Sequence, residues 1–86
     1  MERVEITVSG YRLDFEQART FARMLAERDD EMTTLVSWND RIRDIHSPQC
    51  LQCEIKGDPA WEVYGRNHGG RLRISFNADT FVFIFS

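Results

Sequence analysis

The run Phe81-Val82-Phe83-Ile84-Phe85 most narrows what this chain can fold into. Successive side chains of a strand point to opposite faces of its sheet. Phe81, Phe83 and Phe85 therefore take one face, and Val82 and Ile84 take the other. Both sets are apolar, so the strand needs cover twice, either as a central strand or at the seam of an assembly. Burying each phenylalanine contributes roughly 1.5–3 kcal/mol. The chain has 86 residues, and a domain of that size buries only about 60% of its unfolded surface, so this strand carries much of the core.

Other segments supply the rest of a sheet. Val4, Ile6 and Val8 alternate with Arg3, Glu5 and Thr7, the pattern of a half-buried strand. Ser9-Gly10 ends it. Asp14 and Gln17 have capping-box spacing, so a helix is expected to start there. Phe15, Ala18, Phe21, Ala22, Leu25 and Ala26 form its apolar stripe. Asp29-Asp30-Glu31 places negative charge at the negative end of the helix dipole, which ends the helix near Arg28. Residues 32–38 are β-prone. Residues 39–49 read as the longest loop, with Ser47-Pro48 near its end.

Beyond that loop, residues 50–56 read as a short strand, and Gly57-Asp58-Pro59 as a turn. Residues 61–66 alternate, with Trp61, Val63 and Gly65 opposite Glu62, Tyr64 and Arg66, so a strand is expected. Asn67-His68-Gly69-Gly70 reads as the hairpin that joins it to the next strand. There Leu72, Ile74 and Phe76 face inward, while Arg71, Arg73 and Ser75 face outward. Asn77-Ala78-Asp79 makes the last turn. The expected fold is a single α+β domain over residues 1–86, a β-α-β unit followed by a β-meander. It has one antiparallel or mixed sheet of four to five strands, with one helix packed on a face. The second face of the closing strand is left to the loop after Trp38 or to another subunit. A homodimer through Phe81–Phe85 follows from the second choice.

Charge narrows the function classes. The net charge is −3, and the basic residues are ten arginines and the single lysine Lys56. That balance argues against nucleic acid as a partner. Arg66, Arg71 and Arg73 on one hairpin face are read as a solvated face rather than an anion site. No apolar run approaches the ~20 residues that span a bilayer. The start, MERVEITVSG, lacks the pattern of a signal peptide, so no membrane is expected and the location expected is cytoplasmic. In that compartment Cys50 and Cys53 are reduced thiols.

Several groups of residues carry chemical potential. His46-x3-Cys50-x2-Cys53 with His68 has the ligand count of a zinc site. Leu51-Gln52 lacks the usual knuckle glycine, and two positions three apart on a strand face opposite ways. Two small buried thiols account for the same pair. A C-x-x-C redox pair normally opens a helix, and here a proline precedes it and β-like sequence follows. Asp40, Asp44 and His46 form a loop set that acid–base chemistry would need to converge. A solvated loop explains the same charges.

Ser37-Trp38-Asn39-Asp40-Arg41, Ser47-Pro48, Cys50, Asp58-Pro59-Ala60-Trp61-Glu62-Val63-Tyr64, His68-Gly69-Gly70 and Phe81–Phe85 together resemble a small family of unknown function from anaerobic bacteria and archaea. The resemblance implies a compact α+β fold and no assigned activity or catalytic residues. It suggests reading Trp38, Asp40, Ser47-Pro48, Trp61, Tyr64 and Gly69-Gly70 as one set. Trp38, Asp40, Trp61, Tyr64 and His68 are taken as the candidate ligand site, since aromatic side chains supply area with a polar tip. Core burial of both tryptophans is the competing reading. Three functions are thus weighed. The first is a non-enzymatic protein-interaction or small-ligand-binding module without cofactor. The alternatives are a zinc-binding domain using His46, Cys50, Cys53 and His68, and a small enzyme working from an Asp/His loop.

Overall fold

The structure is a computed structural model, and it describes residues 1–49 and 54–86. Strand β1 is Glu2–Ile6, helix α1 Phe15–Asp29, β2 Leu35–Asp40 and β3 Ile45–Ser47. After these come β4 (Glu54–Ile55), β5 (Asp58–Pro59), α2 (Ala60–Asn67), β6 (Leu72–Phe76) and β7 (Phe81–Phe85). Five strands form a mixed sheet in the order β1-β6-β7-β2-β3, and β4 pairs with β5 separately. β1 runs parallel to β6, and the other neighbours are antiparallel. The β1-α1-β2 unit is therefore split, with β6 and β7 inserted between its two strands.

The α+β class and the mixed five-stranded sheet match the expectation from the sequence. α1 starts as the capping box requires: Gln17 N–H donates to Asp14 Oδ1 at 2.8 Å, and Asp14 N–H donates to Gln17 Oε1 at 3.1 Å. Its buried stripe of Phe15, Ala18, Ala22 and Ala26 lies on one face of the sheet. Leu72, Ile74, Phe76, Phe81, Phe83 and Phe85 fill the same core, flanked by Val4, Ile6, Leu35 and Trp38. Three alanines in the stripe let the helix sit close to the phenylalanine layer. A bulge between Leu35 and Ser37 puts both Leu35 and Trp38 on that face.

The second face corrects the expectation. Within the chain, Val82 and Ile84 are covered by a second helix, which the expectation from the sequence did not include. Residues 60–67 form a helix rather than a strand, and Trp61 of α2 packs on Val82 and Ile84. Its Gly65 meets the sheet backbone-close: a Cβ built there would lie 2.5 Å from Ser37 Oγ and 2.7 Å from Ile84 Cδ1. Residues 67–70 end this helix instead of making a hairpin. Gly69 takes φ +84°, and Gly70 N–H donates to Gly65 O at 2.9 Å, the outer bond of a Schellman motif.

Two more expectations change. Residues 39–49 are mostly a hairpin, β2-turn-β3, rather than a long loop. Arg73 and Ser75 point away from α1 but are buried, at 5% and 2% exposure, not solvated. β7 itself lies between β6 and β2, and all five of its residues are buried. The strand expected to form a dimer seam therefore has neither a free edge nor a free face in this structure.

Candidate functional site

The side chains that could meet a ligand gather where the N-terminus of α1 meets the β2–β3 turn. β2 ends with Asp40 on the α1 face, paired in register with Phe81 of β7. Its carboxylate is buried, at 1% exposure, and it organises the turn that follows. Oδ1 accepts from the backbone N–H groups of Ile42 and Arg43, at 3.0 and 3.2 Å. Oδ2 accepts from Arg43 Nε at 2.6 Å. An aspartate that bonds backbone two and three residues ahead is the standard chemistry of a tight turn. Here it also aims Arg43, whose guanidinium carbon lies 5.1 Å from the centre of the Phe15 ring.

The result is an open cleft of about 460 Å³, with Phe15, Phe81 and Ile42 as apolar lining and Arg12, Asp14, Glu16, Asp40 and Arg43 as polar lining. That volume lies in the range of small-molecule sites. Two of its acidic groups are already engaged: Asp14 caps α1 and Asp40 holds Arg43. Arg12 has no side-chain partner among the described residues.

Of the residues singled out from the sequence, only Asp40 lines this cleft. Trp38 lies on the α1 face, its ring centre 4.8 Å from that of Phe15. Trp61 lies on the α2 face with Val82 and Ile84. The sheet separates the two tryptophans, so they do not line one pocket. Tyr64 and His68 stack on α2, 3.8 Å apart and nearly parallel, and Tyr64 O accepts from His68 Nδ1 at 2.9 Å. His46 sits on β3 opposite Asn39, and Pro48 O accepts from its Nδ1 at 3.1 Å. Strand alternation then directs His46 and Asp40 to opposite faces, so these two do not form an acid–base pair. Cys50 and Cys53, and with them the zinc set, lie outside the described residues. Among the described residues, no three of His, Cys, Asp and Glu gather closely enough to hold a metal ion.

Sequence reasoning missed Phe15, Arg43 and Arg12 as lining residues. The Asp40-x2-Arg43 spacing was visible but looked like one of several loop charges. It also missed a buried polar cluster on the α2 face. Arg73 Nε donates to Glu62 Oε1 of α2 at 2.7 Å, and its two terminal nitrogens donate to Asp79 at 3.3 Å. Burial alone would lower the Arg73 pKa, but hydrogen bonds and charge from Asp79 and Glu62 outweigh it and raise the value. The Ser75 hydroxyl, 2.6 Å from Asp79 Oδ1, holds that carboxyl below its ordinary range, against partial desolvation and with help from Arg73. These groups pair with one another, so we read the cluster as structural.

Comparison with known proteins adds the following. The family model Domain of unknown function (DUF5619) matches residues 1–85. Among solved structures, the chain is similar to the novel protein AF1514 from Archeoglobus fulgidus. The identity is 27%, with a TM-score of 0.81, covering 100% of this chain and 93% of that one. Comparison with curated proteins finds no match. No helix among the described residues is long and apolar enough to cross a membrane.

Proposed function

The chain belongs to this family of domains of unknown function, and from that footing we propose that it is a non-enzymatic module that binds a small ligand in the cleft between α1 and the β2–β3 turn. The observation that carries the reading is the pairing of an apolar floor with a cation fixed above it. Phe15 and Phe81 supply the floor, and the buried Asp40 fixes Arg43 over it. The ligand that fits is a small amphipathic molecule with a flat apolar body and an anionic group. Arg12 and the outer nitrogens of Arg43 favour the anion, as does the positive end of the α1 dipole. Asp14 and Glu16 at the rim oppose a dianion, which makes a single negative charge the better fit.

Titration of the nitrogen-15-labelled protein with benzoate, followed by amide chemical shifts, tests this. Saturable shifts are expected at residues 12–16 and 40–43, with benzamidine, the cationic analogue, producing none there. Arg12→Glu is expected to remove the benzoate response while leaving the fold intact, since Arg12 is exposed. Equal responses to benzoate and benzamidine, or shifts that never saturate, would contradict the reading.

A further inference from the structure

The opposite edge of the sheet carries a separate signal. β1 is an edge strand: β6 pairs with one side of it, and no described strand pairs with the other. In a parallel pair, alternate residues of a strand make the bonds to one neighbour. Glu2 N–H donates to Arg71 O, and Ile6 O accepts from Asn77 N–H, so Glu2, Val4 and Ile6 bond inward to β6. The N–H and C=O groups of Arg3 and Glu5 therefore point outward. Both residues are exposed, and neither side chain has an ion-pair partner among the described residues.

We propose that β1 pairs antiparallel with β1 of a second copy of this chain, about a two-fold axis at Val4. In that register Arg3 lies opposite Glu5 of the second copy, and Glu5 opposite its Arg3. The backbone parity agrees, because the two residues with outward groups meet as a hydrogen-bonded pair and exchange two bonds at each end. Their side chains then stand opposite on one face as two ion pairs. The neighbouring two-fold registers of the same parity fail on charge. One sets Arg3 against Arg3, and the other sets Glu5 against Glu5. On the other face, the half-buried Val4 meets its own copy at the axis. Phe21, 46% exposed and in edge contact with Phe76 of β6, flanks the same side.

The pairing joins two sheets at the β1 edges and leaves both clefts free at the far, β2–β3 ends. The strands are short, so the dimer is reversible and depends on concentration. Sedimentation velocity across a wide concentration range tests it. The native chain is expected to reach a dimer mass. Arg3→Glu and Glu5→Arg, each placing like charges opposite, are expected to weaken association by roughly ten-fold or more. The double exchange Arg3→Glu/Glu5→Arg is expected to restore it. A native chain that stays monomeric at millimolar concentration would overturn the proposal. So would single variants that associate like the native chain, or a double exchange that restores nothing. Amide exchange gives an independent reading: Arg3 and Glu5 should gain protection with concentration, and a gain at residues 45–47 instead would assign the contact to the other edge.

Discussion

Replacing Arg73 by methionine is expected to destabilise the fold by about 3 kcal/mol, at the lower end of the range for breaking a buried ion pair. Methionine keeps most of the apolar stem, so lost packing is a minor part. The cost comes from the group left behind. The Arg73 side chain is 6% exposed and the Glu62 side chain 14%, so Glu62 would stay under α2 without its cation. Asp79 is 53% exposed and can turn to water, which keeps the effect from being larger. The double replacement Arg73→Met/Glu62→Met removes the stranded charge and is expected to recover more than half of the loss. Chemical denaturation of the two variants separates these explanations. A double variant no more stable than the single one would show that the pair itself, not the abandoned carboxylate, carries the energy.

The same cluster gives the fold an acid dependence of known sign. The Asp79 carboxyl is held low chiefly by the Ser75 hydroxyl. Its contribution is therefore present above the ordinary carboxylate pKa and is lost as pH falls through the lowered folded value. Ser75→Ala should flatten that acid limb.

Gly65→Val is expected to cost about 3 kcal/mol, and Gly65→Ala about 1–2 kcal/mol, with the sign of the alanine change as the informative part. At an ordinary helix position, glycine to alanine stabilises by about 1 kcal/mol. Here the new Cβ would sit 2.5 Å from Ser37 Oγ and 2.7 and 3.0 Å from two carbons of Ile84, so overpacking wins. Ser37 offers a specific rescue. Its hydroxyl is buried, and among the described residues it is a side-chain oxygen without a hydrogen-bond partner. Ser37→Ala removes both the closest obstruction and an unsatisfied polar group. Gly65→Ala/Ser37→Ala should therefore be more stable than Gly65→Ala alone. A stabilising Gly65→Ala would mean that α2 does not rest on the sheet at this distance.

Much of the α1 side was legible in the sequence, because its signals are periodic and local. Val4 and Ile6, the Asp14–Gln17 box, and Leu72, Ile74 and Phe76 all sit where their alternation or capping placed them. The α2 side was not legible, for reasons particular to its residues. In a segment of eight residues, Trp61, Val63 and Gly65 satisfy a period of two as well as Trp61 and Gly65 satisfy a helical turn. Arg73 looked like a solvent residue because its partner Glu62 stands eleven positions away on that misread segment. The cleft was half legible: Asp40 was singled out, but Phe15 belonged to the helix stripe and nothing local tied it to Arg43. Trp38 and Trp61 looked like one aromatic group because sequence does not reveal which face of a sheet each will take.

The central claim is that the doubly apolar strand Phe81–Phe85 is covered on both faces within one chain, by α1 and by α2. Native-state amide hydrogen exchange, measured across a dilution series down to the monomer, tests it most directly. The account predicts that the amides of residues 81–85 are among the slowest in the protein and exchange at the same rate at every concentration. Protection of these amides that collapses on dilution would contradict it, since a second subunit would then be supplying the cover assigned here to α2.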